Sequence, residues 1–322
     1  MALLQAVRCQ ERIQVNRKLN KRNHRGGFTL VEMLVVLLII VILAGLITAA
    51  AYRGLKRAKV ARIGMEIQQI SLALEQYKQQ FGEYPPDFSD LSVTGKNLIL
   101  RHIARAFPHY TVSTWNNLQS EVLTNSNSLT NLNNMTPAMA LVFWLGGMPD
   151  LQGKLSGFSK NPADPFESPS TTASRIGPFF EFDPSRLSSY KYYPSGVSTS
   201  AGQPYIYFRA ESGYSESYRE YYTYSSSYTL KTITLSSTTV RPYWDARVKT
   251  WVNPSSFQIL CCGLDGKFSQ ENVYNTGRTP ATTDIPNSNI ISSDITGVTS
   301  GNFDYLDDQT NFTTGTIGDD LP

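Results

Sequence analysis

From Phe28 to Ala51 runs a stretch of 24 residues with one charged side chain, Glu32. As a helix rising 1.5 Å per residue it reaches roughly 36 Å, enough to cross a bilayer core. A chain with such a run near its start is anchored before it is anything else. A carboxylate in hydrocarbon is costly and needs a partner, so Glu32 is a functional residue by default.

What precedes the run fixes its direction. Residues 1 to 27 hold seven Lys/Arg against one acidic residue, and the cluster stops at Gly26-Gly27. Positive charge before an apolar helix keeps that end cytoplasmic, so the C-terminal side is expected outside. The remainder carries 22 Lys/Arg against 25 Asp/Glu. The basicity therefore sits in the leader, and nucleic acid is not an expected partner.

A secretory signal peptide is the competing reading, with Ala44-Gly45 or Ala49-Ala50-Ala51 as its cleavage site. The helical pattern, however, continues past the membrane edge. Val60, Ile63, Ile67, Ile70, Leu74, Tyr77 and Phe81 recur at spacings of three and four, an apolar stripe that extends the span into one helix of about 50 residues. Gly82 and Pro85-Pro86 supply its stop.

Downstream, LILRHIARAF predicts a short helix with Leu98, Ile99, Ile103 and Phe107 on one side, and PAMALVFWLGG predicts another that starts at Pro137. The Asn/Ser/Thr-rich SEVLTNSNSLTNLNN between them reads as a solvated loop. Beyond Lys160, the Tyr- and β-branched-rich PYIYF, YREYYTYSSSYTLKTITL and FQILCC suit strands. In Cys261-Cys262, adjacent side chains on a strand point to opposite faces, which predicts one core thiol and one flanking thiol.

Catalytic signatures are absent: no nucleophile elbow, phosphate loop, zincin motif or dinucleotide fingerprint occurs. His24 lies in the leader, so a histidine-based site would need His102 or His109. A deep cleft holding either beside carboxylates would mark an enzyme on an anchor. Asp265, Asp304, Asp307 and Asp308 sit in Gly/Asn-rich stretches near the C-terminus. They are hard oxygen donors of the kind calcium takes, without EF-hand spacing, and equally ordinary turn carboxylates.

Gly27-Phe28-Thr29-Leu30-Val31-Glu32 resembles the processing site of type IV prepilins and type II secretion pseudopilins. The resemblance implies a cut after Gly27 by prepilin peptidase, N-methylation of Phe28, and Glu32 as the fifth mature residue. That carboxylate would pair with the Phe28 amine of a neighbouring subunit during assembly, its burial offset by the opposite charge. FGEYPPDFSDL, Lys160 to Phe166, and SFQILCCGLDGKF with DDQTNF resemble further segments of the major pseudopilin of type II secretion. In that family the last loop binds calcium, which implies Asp265, Asp307 and Asp308 as ligands. Good matches cover residues 25 to 90, 158 to 168 and 256 to 268, with weaker ones at 303 to 312. The leader is long for the family, and 92 to 160 and 211 to 240 look like insertions.

The expected fold is α+β and pilin-like: a long N-terminal helix, half membrane-embedded and half amphipathic, packed on an antiparallel β-sheet with extra helices inserted. Its expected divisions are a leader at 1–27, a membrane half-helix at 28–51, an amphipathic half-helix at 52–82, a helical insert at 83–160 and a β-rich head at 161–322. The implied function is structural, a subunit of an inner-membrane-anchored periplasmic pseudopilus. Its partners would be homologous subunits, prepilin peptidase and an inner-membrane assembly platform with its ATPase. A minor type IV pilin or a pilus-displayed adhesin is the alternative.

Overall fold

The computed structural model describes residues 28–111, 114–125, 131–150, 152–169, 174–211, 221, 223, 230–235, 238–245, 250–268, 309–313 and 316. It divides into two compact units, Met1–Arg53 and Gly54–Pro322.

The first helix, α1, spans Leu30–Phe81. Its portion in the first unit presents Leu34, Leu37, Ile40 and Leu43 to the outside, like every apolar side chain described in that stretch. No core of its own covers them, as expected for a segment whose solvent is lipid. In the second unit the same helix turns amphipathic. Ile63, Ile67, Ile70, Leu74, Tyr77 and Phe81 are buried, while Met65 and Leu72 face outward. The stripe falls where the spacing of three and four places it. Gly82 then takes φ +86°, and its N–H donates to the Lys78 carbonyl at 2.7 Å, a left-handed cap that only glycine adopts without strain.

Helices α2 (Val93–Ala106), α3 (Trp115–Asn125) and α4 (Pro137–Leu141) follow, and α4 runs into a π-turn at Val142–Gly146. The stretch read as a solvated loop is helical in its first part, because α3 runs to Asn125 and buries Trp115, Leu118 and Val122. Three apolar residues at spacings of three and four decide that helix, against a sequence otherwise rich in Asn and Ser. Residues 126–130 lie outside the described set.

The strands are short: β1 Phe158–Ser159, β2 Arg175–Ile176, β3 Leu187–Ser188, β4 Lys191–Tyr192, β5 Ile206–Arg209, β6 Ile233–Leu235, β7 Thr238–Val240, β8 Trp244–Asp245, β9 Thr250–Trp251, β10 Phe257–Cys261 and β11 Gln309–Thr310. Pairing is antiparallel throughout, in a three-stranded sheet of order β11-β10-β5 and four two-stranded ladders. The architecture is therefore α+β, with a long apolar N-terminal helix followed by small antiparallel sheets.

The three-stranded sheet is covered on both faces. Tyr205, Tyr207, Phe257, Ile259 and Cys261 join the α1 stripe in one core. The alternate residues Ile206, Phe208, Leu260 and Cys262 join Ile233, Val240, Tyr243 and Trp251 in a second. The period of two thus sorts side chains between two cores rather than between core and water. Cys261 and Cys262 are consequently both core residues and are not joined in a disulfide, which corrects the expectation that one would merely flank. Their opposite directions are as expected.

The stripe on α1 makes a direct stability prediction. Ile70→Ala should cost the head about 2–5 kcal/mol in urea unfolding. Leu72→Ala, two residues away on the exposed side, should stay within about 0.5 kcal/mol.

Candidate functional site

At the start of α1, Phe28 and Glu32 are both exposed. The Glu32 carboxylate accepts from the Thr29 N–H at 2.7 Å and from the Thr29 hydroxyl at 2.8 Å, and the Glu32 N–H donates back to Thr29 Oγ1 at 3.2 Å. This is a capping box, Thr at the N-cap and Glu three residues on, which satisfies two helix-end donors reciprocally. Sequence reasoning assigned Glu32 to a partner chain and missed its local partner. The Thr-x-x-Glu spacing that reveals it was in plain view. Gly27 lies outside the described residues.

Where α1 ends, the Tyr84-Pro85-Pro86-Asp87 turn is gripped by side chains from distant elements. Arg209 Nη1 donates to the Tyr84 carbonyl at 2.8 Å, Tyr207 Oη to the Pro85 carbonyl at 2.9 Å and Trp144 Nε1 to the Pro86 carbonyl at 2.8 Å. Prolines supply no N–H and cannot join a ladder from that side, so side chains satisfy their carbonyls. Asp87 completes the grip. Its Oδ2 accepts from the Arg209 N–H at 2.8 Å and from Lys231 Nζ at 2.7 Å, and Oδ1 accepts from the Ser89 N–H and hydroxyl. Lys231 also donates to the Arg209 carbonyl at 2.7 Å and to Glu211 at 3.0 Å, while Arg209 Nη2 pairs with Glu211 at 2.7 Å. Two cations and two anions thus balance in a buried site. Burial pushes the Glu211 carboxyl up, but Lys231 and Arg209 outweigh it and hold the group at about 2.

His102 is buried and hydrogen-bonded on both ring nitrogens, to Tyr77 Oη at 2.9 Å through Nε2 and to Glu83 at 2.7 Å through Nδ1. A carboxylate only accepts, so Nδ1 carries the proton and Nε2 receives the tyrosine hydroxyl. Burial pushes the His102 pKa down, against the raising pull of Glu83. The ring packs edge-on to Trp144 and stacks with Tyr77, where it serves as a polar fastener between α1 and α2. His109 is exposed.

A cavity of about 780 Å³ opens beside the α1 residues Glu66, Gln69 and Gln76, walled by Phe179, Phe180, Phe182 and Tyr192. Neither His102 nor His109 lines it. Glu66 is fully engaged. One oxygen accepts from Arg186 Nη1 at 3.0 Å and Tyr205 Oη at 2.6 Å, the other from Tyr192 Oη at 2.9 Å and from Arg186 Nη2. A carboxylate with four donors is poorly placed to act as a base.

Asp265 stands exposed on the turn after β10, with Oδ1 accepting from the Lys267 N–H at 2.8 Å. Among the described residues no three His, Cys, Asp or Glu side chains come together in a group that could hold a metal. Asp304, Asp307 and Asp308 lie outside the described residues. Phe166, from the Lys160 to Phe166 segment, is buried against Phe107, Tyr110, Phe143 and Phe158. That segment contributes an aromatic anchor to the core.

Residues 22–48 match the model of the prokaryotic N-terminal methylation motif. No curated protein and no solved structure matches the chain. The motif is that of a type IV pilin-like precursor cut by prepilin peptidase, and it serves processing and assembly with other pilin subunits rather than catalysis. Among the described residues one helix is long and apolar enough to cross a membrane, which is consistent with a membrane-anchored, single-pass protein.

The buried charge balance predicts that Lys231→Met, which strands Asp87 and Glu211, costs about 3–5 kcal/mol in urea unfolding at neutral pH. Acid should act in two windows. Unfolded His102 takes up a proton below about pH 6.5 that the folded protein refuses, so stability falls as pH drops below that value, and His102→Gln should flatten this first slope. Glu211 contributes stability that is complete above its ordinary 4.5 and lost as pH falls toward 2.

Proposed function

We propose that this chain is a structural pseudopilin. Prepilin peptidase cuts after Gly27, Phe28 becomes the N-methylated terminus, and subunits assemble through their N-terminal helices into a periplasmic fibre of a type II secretion system. The observation that carries the reading is a coincidence of three features. The methylation motif at 22–48 runs into an apolar stretch of helix that the protein leaves uncovered, and the lone carboxylate of that stretch, Glu32, stands fifth from the cut. The sequence likeness at 25–90, 158–168 and 256–268 to the major pseudopilin supports that branch over other pilin-like proteins.

In this reading the enlarged head is a spacer whose covered sheet and gripped turn withstand a pushing load. A second reading, a minor type IV pilin displaying a binding head, is favoured by one observation, the aromatic-walled cavity beside Glu66. Sites of this kind, apolar with a few placed polar groups, commonly take small ligands. Calcium belongs to the first reading. Asp265, an exposed hard-oxygen donor on the turn after β10, is suited to be one ligand, with Asp307 and Asp308 as the others.

Protein purified from host membranes should begin at N-methyl-Phe28 by intact-mass and fragment analysis. An intact leader, or a cut after Ala51, would sink the reading. Glu32→Gln separates two roles, because glutamine preserves a capping box while removing the charge. It should leave processing intact and abolish filament assembly, whereas retained assembly would assign Glu32 to helix capping alone. Calcium in excess over chelator should raise the melting temperature of the head, as any ligand that binds only the folded state must. Asp265→Asn should abolish that rise.

A further inference from the structure

Directly after the apolar run comes Tyr52-Arg53-Gly54-Leu55-Lys56-Arg57-Ala58-Lys59-Val60-Ala61-Arg62. It holds five cations, and no acidic residue occurs between Glu32 and Glu66. All five cations are exposed on α1. Taken around the helix at about 100° per residue, Lys56, Arg57, Lys59 and Arg62 stand at about 0°, 100°, 300° and 240°. They form a ring rather than a stripe.

That geometry selects the partner. A protein groove or a nucleic-acid backbone engages one side of a helix, and would leave half of these cations unused. A plane of anionic headgroups around a helix that crosses it engages every side. Tyr52, 72 % exposed, and Leu55, 59 % exposed, add the amphipathic anchors typical of a membrane interface, and Lys and Arg stems reach along apolar surface to place their charges there. Arg62 forms the outer edge, within electrostatic reach of Asp183. A merely solvated helix face would mix its signs, as the later part of α1 does with Glu66, Glu75 and Lys78.

The ring also lies on the flank where positive charge is disfavoured. Before processing, seven leader cations oppose these five. Removal of the leader at Gly27 leaves the five alone, on the side opposite the cytoplasm. The apolar span still anchors the processed chain, and these cations are left to set the level at which it meets the headgroups. We propose that residues 56–62 form a collar that binds anionic phospholipid headgroups of the leaflet on the C-terminal side of the span, fixing the level at which the mature chain sits until it enters a filament. The side of the membrane and the loss of the leader rest on the function proposed above; the lipid contact itself rests on the ring. Each cation near such a surface contributes about fivefold to partitioning.

The full chain, extracted with its surrounding lipid in polymer-bounded discs, tests this by lipid mass spectrometry, with the N-terminus measured in the same sample. The wild type should carry phosphatidylglycerol or cardiolipin at several times its share of the bulk membrane. Lys56→Gln/Arg57→Gln/Lys59→Gln should fall to the bulk ratio, and Lys56→Arg/Lys59→Arg should keep the enrichment. A bulk ratio in the wild type, or enrichment unchanged in the glutamine variant, would overturn the collar. A second measurement, partition of purified wild-type protein between vesicles of phosphatidylcholine with and without phosphatidylglycerol, should favour the anionic vesicles and lose that preference as salt rises. Preference for neither overturns the collar as well. An uncut leader in the same sample would refute the proposed processing without touching the lipid result.

Discussion

The head is organised around four consecutive residues that make no regular secondary structure. At Tyr84-Pro85-Pro86-Asp87 the long helix has ended and the chain must turn, yet three carbonyls and a carboxylate point into protein rather than water. They are met by donors from three regions: Arg209 and Tyr207 from β5, Trp144 from the π-turn after α4, Lys231 from the approach to β6. An unmet carbonyl there would cost as much as a hydrogen bond gains, so the turn fixes where the sheet, the inserted helices and the later hairpin sit relative to the end of α1. Pro85 and Pro86 make this possible by being rigid, and costly by offering no donors of their own.

The buried quartet Asp87, Arg209, Glu211 and Lys231 extends the same logic. Two opposite pairs in a site closed to water are weak evidence of net stability, because desolvation consumes much of the attraction. Their effect is selective. Any packing that leaves one member unpaired is penalised heavily, so the network discriminates against alternative arrangements of β5 and the segment before β6.

How much of this was legible depends on sequence separation. The α1 stripe and the helix at 98–107 follow from local period, and the glycine stop, the helix from Pro137 and the strand FQILC from local composition, both of which survive in one sequence. Helix α3 was hidden because its second half runs into the Asn/Ser/Thr-rich stretch that follows, while three buried apolar residues decide its fold. The Lys231 to Asp87 contact, 144 residues apart, leaves no trace in either neighbourhood. The burial of Cys262 was misjudged for a related reason: a strand covered on both faces gives up the alternation of core and solvent that pattern reading relies on. At the helix start the outcome was reversed. The Thr29-to-Glu32 box is entirely local, and attention to the cost of a carboxylate in lipid obscured the simpler local use of it.

That box changes what joining a filament entails for Glu32. Its carboxylate is not a bare charge waiting for a counter-ion, since the subunit already provides two donors of its own. In the assembly proposed above, a neighbour's amine would have to compete with Thr29 or share the oxygen with it, and the free energy of docking at this position would be an exchange difference rather than the full strength of an ion pair. Small differences are readily reversed. In the filament proposed above, a subunit that departs would take its glutamate back into its own Thr29 box, with no stranded charge left behind.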